Sequence, residues 1–207
     1  MFSRKTIQIV FLALARLVCV EGDHSQPATT CEEFERGARF NAYDIVDSQW
    51  KIIFFWSETT ELKPIIFSLV DKKKLNKFKK VVDALEPDLN PEWHKATLMM
   101  EPRPGVQVLL LYMGTPGAFR GLVKVERRNE GRPHPPPLLK LADLRFKLVD
   151  RYMGMMCCED HTAFVLVRAD EVPSTERECL DIASHIGFKG PGGRSYLYVK
   201  NLTRTEL

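Results

Sequence analysis

Cys157-Cys158-Glu159-Asp160-His161 places two thiols, two carboxylates and an imidazole in five consecutive positions. Such groups are suitable transition-metal ligands. In an oxidising compartment the same cysteines form disulfides instead, and that second chemistry is the one expected here. The histidines His24, His94, His134, His161 and His185 are scattered and show no ligand spacing. There is no glycine-rich phosphate loop, and Ser57, Ser68 and Ser184 lack a nucleophile motif around them. The reading is of a protein that is not an enzyme and uses no metal and no cofactor.

Trp50 and Arg168 suggest a different kind of chemistry. Trp50 opens the run Trp50-Lys51-Ile52-Ile53-Phe54-Phe55-Trp56, and Arg168 ends Thr162-Ala163-Phe164-Val165-Leu166-Val167-Arg168. A guanidinium stacks on an indole face and is held by the ring quadrupole. If the sheet closes on itself, the two chain ends meet and seal the floor of a barrel. A second cluster is cationic: Lys72, Lys73, Lys74, Lys77, Lys79 and Lys80 crowd one short segment. It could dock on an anionic lipid, glycan or acidic protein partner. The favoured reading is plainer, a solvated helix face whose Leu75, Phe78 and Val82 pack inward.

Residues 1–22 read as a secretory signal peptide, with Arg4 and Lys5 before a mostly apolar stretch. That segment holds three basic residues (Arg4, Lys5, Arg16) and one acidic (Glu21). The net charge of +3 therefore falls to +1 for residues 23–207, too little for a global pull toward nucleic acid. The chain is then one secreted domain, residues 23–187, with a tail at 188–207. Cys31, Cys157, Cys158 and Cys179 remain and allow two disulfides in three connectivities. Neighbours on a strand face opposite sides, so one of Cys157 and Cys158 could take Cys31 and the other Cys179. Asn201-Leu202-Thr203 is the one sequon, making Asn201 a candidate glycosylation site.

Eight strands are expected, at 49–57, 63–70, 94–101, 106–113, 119–127, 139–149, 152–159 and 162–168, joined mostly by Gly/Pro/Asp turns. Residues 129–137 form a Gly/Pro-rich exposed loop. Several strands alternate, as in Ala142, Leu144, Phe146 and Leu148 against Asp143, Arg145 and Lys147. That pattern gives an apolar inside and a charged outside. Helical spacing interrupts it at 72–85, where Leu75, Phe78, Val82 and Leu85 recur before Pro87. A second helix follows residue 168, with Ser174 as N-cap, an incomplete capping box because Arg177 stands at N3, and Gly187 as its end. Tyr196-Leu197-Tyr198-Val199 could add a short strand. The fold class is all-β: an eight-stranded antiparallel up-and-down barrel with a C-terminal helix and one inserted amphipathic helix.

Three segments in this order resemble the lipocalin family. Ser48-Gln49-Trp50 stands where the family has Gly-x-Trp. Val149-Asp150-Arg151-Tyr152 is similar to its Thr-Asp-Tyr corner, and Arg168-Ala169-Asp170-Glu171-Val172-Pro173-Ser174 to its arginine before a capped helix. Cys31 with Cys157 or Cys158 looks like the disulfide of insect lipocalins. The resemblance implies a secreted, extracellular carrier or sequestering protein that binds a small hydrophobic molecule inside its barrel.

With Trp50 on the floor, strict alternation points Ile52, Phe54 and Trp56 into the barrel. On the fourth strand it points Val106, Val108, Leu110 and Tyr112 inward. Phe119, Val123, Val125, Leu144, Phe146 and Phe164 complete a lining suited to an apolar ligand. The alternative is that these side chains fill the barrel, and function passes to the lysine-rich helix as an interaction module.

Overall fold

The computed structural model describes residues 27–57, 63–127 and 135–198. The expected segment 1–22, His24, His134, residues 129–134 of the exposed loop and Asn201 lie outside them. Eight strands follow in chain order: β1 (Gln49–Trp56), β2 (Ile65–Leu69), β3 (Ala96–Arg103), β4 (Val106–Tyr112), β5 (Ala118–Val125), β6 (Leu138–Val149), β7 (Tyr152–Cys157) and β8 (Thr162–Arg168). Each pairs antiparallel with the next. β8 pairs back onto β1, from Trp50 opposite Arg168 to Trp56 opposite Ala163, and so closes the barrel. The expected all-β, up-and-down barrel is what the chain forms.

Two connections show why the strands turn where they do. Asp150 takes φ 54° in a two-residue turn between β6 and β7, a conformation that Asp tolerates and β-branched residues do not. Gly117, at φ +80°, leads into β5, and a Cβ there would collide with the Phe146 carbonyl oxygen. That oxygen thus approaches bare backbone, which only glycine offers.

Helices cover two outer faces of the barrel. α1 (Cys31–Glu35) precedes β1, α2 (Lys72–Leu85) joins β2 to β3, and α3 (Glu176–Ile186) follows β8. Phe78 and Val82 of α2 pack with Met99, Leu109, Leu111 and Leu122 on the outside of β3, β4 and β5. Cys179, Ala183 and Ile186 of α3 pack with Phe54, Trp56, Met156, Val165 and Val167 on the outside of β1, β7 and β8. A strand covered on both faces loses its alternation, which is why β8 reads as an almost unbroken apolar run. Gly154 permits the close approach of α3, since a Cβ there would lie 2.7 Å from Ile186 Cγ2.

Several expectations are corrected here. The N-cap of α3 is Thr175, not Ser174, and its capping box is complete. Thr175 Oγ1 accepts from the Glu178 amide at 3.2 Å, and the Glu178 carboxylate accepts from the Thr175 amide at 3.0 Å. A shift of one residue puts Glu178, rather than Arg177, at N3. Cys179 is in no disulfide: it is a free thiol buried beneath α3, and burial pushes its pKa up to about 11. Its place on the inward stripe of α3 makes it a packing residue. The chain after α3 continues the fold: Phe188 stacks on Phe34 at 4.6 Å. The short added strand is β9 (Arg194–Ser195), on β1, whereas residues 196–198 are helical.

Candidate functional site

The barrel has two unlike ends, and topology assigns the groups at each. β1, β3, β5 and β7 begin at one end; β2, β4, β6 and β8 finish there. At this end the Trp50 indole donates to the Ile45 carbonyl at 2.9 Å, and the Arg168 guanidinium lies 5.5 Å from the indole ring centroid. Arg168 also donates to Ser48 Oγ at 2.6 Å and to the Asp44 carbonyl at 3.1 Å. One side chain therefore ties the single-turn helix Ala42–Asp44 under the barrel. Phe40 enters beside it and meets Phe119 at 5.5 Å and Phe146 at 5.6 Å. Phe119 and Phe146 are 5.7 Å apart, and Phe67 stands 6.0 Å from Phe146. Such edge-on ring pairs add to simple burial. This end is a sealed floor.

The opposite end is a polar rim. The β7–β8 turn carries Cys158, Glu159, Asp160 and His161. Cys158 is bonded to Cys31, 127 positions earlier, and Cys157 is also in a disulfide, so neither sulfur is a free thiolate. Lys140 lies opposite Val123 in register, on the inner parity of β6, and reaches Asp160 at 3.8 Å. Partial desolvation, then the charge of Asp143, holds the Glu159 carboxyl above the ordinary carboxylate range. Thr162 stands opposite inward Cys157. Its hydroxyl is buried with no hydrogen-bond partner among the described residues.

Between floor and rim the inner wall is apolar. Ile52, Val108, Leu110, Phe119, Val123, Leu144, Phe146 and Phe164 all belong to the inner cluster, as do Val106 and Val125. Phe54 and Trp56 do not, and the reason is local. The β1–β8 register slips between Ile52 and Phe54, so a β-bulge at Ile53 reverses the alternation. Phe55 turns inward opposite Phe164, while Phe54 and Trp56 turn out beneath α3. Tyr112 is corrected as well. It ends β4 at the floor, 37% exposed, with its ring 6.0 Å from Phe119. Among the inward residues sequence reasoning missed are Phe55, Phe67, Leu98, Leu166 and the methionines Met100, Met153 and Met155. Phe55 had no signal, because Ile53-Phe54-Phe55-Trp56 is apolar throughout. Met153 and Met155 alternate with Gly154, which marks the outer face where α3 closes in.

Comparison with protein-family models, curated proteins and solved structures gives no match for this chain.

Proposed function

We propose that this protein is a secreted, lipocalin-like carrier or sequestering protein that holds a small hydrophobic molecule in the rim-side half of its barrel. One observation carries the reading: a closed barrel with a sealed aromatic floor has an apolar inner wall that ends in a polar rim. Such a wall favours apolar surface by roughly 25 cal/mol per Å² buried. Met100, Met153 and Met155 add flexible, polarisable surface that adapts to irregular shapes. The Cys31–Cys158 disulfide supports an oxidising, extracellular setting. In this reading the molecule is held and released without being transformed.

Native mass spectrometry of protein purified from its source, with organic extraction of what it carries, tests this. The expected result is one apolar molecule per chain. Titration with an apolar fluorescent probe should saturate at one equivalent. Absence of saturable binding, by probe or by extract, would sink the reading.

A further inference from the structure

α2 and α3 cover the same barrel, yet their charges are arranged in opposite ways. α3 has Glu176 and Glu178 in its first turn and His185 in its last, which suits the helix dipole. α2 has Lys72, Lys73 and Lys74 in its first turn, no acid there and no base in its last turn. Lys77 meets Lys73, Lys74 and Lys80 at spacings of three and four, where like charges repel. Asp83 is the one acid within the helix. Packing does not demand this arrangement, because Phe78 and Val82 supply the buried stripe. Each lysine costs the helix a little, and the one carboxylate at that end, the N-capping Asp71 that accepts from the Lys74 amide at 2.7 Å, offsets only part of it. Among the described residues no acid pairs with Lys72, Lys73, Lys77 or Lys80. Lys74 bonds to Ser68 Oγ at 2.9 Å, and Lys79 lies over the Trp93 ring at 5.3 Å.

Beside this face runs a groove of about 110 Å³, bordered by Lys74 and Lys77 of α2 and by Lys124 of β5. The Lys124 side chain is only 5% exposed, and its ammonium reaches Glu126 at 3.3 Å. Glu101 also lines the groove and accepts from Gln107 at 3.5 Å. These acids offset part of the groove's charge. The excess remains on the helix side.

We propose that the Lys73–Lys77–Lys80 face of α2, with the Lys124 groove beside it, binds a linear sulfated glycan. The three lysines span about 10 Å along the helix axis, a row of point charges that suits sulfate groups on a flexible polymer. The groove takes a protruding anionic group, which a flat bilayer does not present. α2 has no apolar face left to insert into lipid, because that face is spent on the barrel. No bare aromatic ring accompanies the row for stacking bases, since Lys79 covers Trp93. The inference stands apart from the ligand in the barrel.

The test is binding of full-length protein to heparin, as the sulfated probe, at physiological ionic strength. It is repeated with Lys73→Gln/Lys77→Gln/Lys80→Gln and with a charge-matched control, Lys63→Gln/Lys147→Gln/Lys189→Gln. The α2 triple variant should lose roughly tenfold or more in affinity, as expected when a focused charge patch is removed. The control should lose far less. The melting temperature of the α2 variant should not fall, and its uptake of an apolar probe should match the wild type. No heparin binding by the wild type, or equal losses in both variants, would overturn the proposal. Tighter binding to phosphatidylserine vesicles than to heparin would also overturn it and assign the face to a membrane.

Discussion

The floor and the rim of one barrel solve opposite problems. At the floor Trp50 and Arg168 are fully engaged: Trp50 donates to Ile45, and Arg168 holds Ser48 and Asp44 while stacking on the indole. Four phenylalanines close the space above it. At the rim a buried Thr162 hydroxyl lacks a partner among the described residues, Lys140 and Asp160 meet only at 3.8 Å, and the Glu159 carboxyl is destabilised in its charged form. A floor of this kind stores stability. A rim of this kind gives up some stability instead.

The comparison breaks most visibly at the floor. Phe146→Ala should cost about 3–5 kcal/mol, the range for deleting a buried phenylalanine, read from denaturant unfolding. Loss of the Cys31–Cys158 bridge, by replacing both residues with serine, should cost about 2–5 kcal/mol because it closes a long loop. That bridge fastens the rim-side turn, so an effect well below this range would mean the turn is held by packing alone. Arg168→Ala removes two hydrogen bonds and a cation–π contact. It should lower stability by roughly 1–3 kcal/mol and leave ligand affinity within about twofold, on the premise that distant sites act independently. A matched drop in affinity would show that floor and rim are not separate.

The smallest expected effect concerns pH. A hydrogen bond from the Arg145 guanidinium, at 2.8 Å, holds the Glu35 carboxyl below its usual range. A carboxylate lowered by folding stabilises the fold above its unfolded pKa, and that gain is lost as pH falls through the folded pKa. Both side chains are partly exposed, so the pair is worth about 1 kcal/mol or less. Glu35→Gln should lower stability by that amount at neutral and alkaline pH, flatten the acid limb of the stability–pH curve, and change little below the folded pKa, where Glu35 is already protonated.

Much of this architecture was legible in the residues. Leu75, Phe78, Val82 and Leu85 at helical spacing, with Pro87 after them, gave α2 its bounds, and the strand runs bounded by turn residues gave eight strands. Trp50 and Arg168 announced the floor because each is polar at one end and has a specific stacking partner. What escaped was parity. A bulge at Ile53 inside an unbroken apolar run has no sequence signature, so Phe54 and Trp56 were placed on the wrong face and Phe55 was passed over. Tyr112 followed the right alternation but sits beyond the barrel's wall, and a strand's length decides that, not its period. Ser174 and Thr175 are both good caps. The choice fell to Glu178, whose distance from Thr175 completes the box.

The central claim is that the rim-side half of the barrel holds an apolar guest. Val123 lies on the inner wall, opposite Val108 on one side and Lys140 on the other. Val123→Trp should fill that half with an indole. The direct measurement is an apolar-probe titration of wild type and Val123→Trp side by side, with circular dichroism to confirm that both are folded. The account predicts one saturable site in the wild type and its loss in the folded variant. Undiminished binding in Val123→Trp would place the guest elsewhere and contradict it.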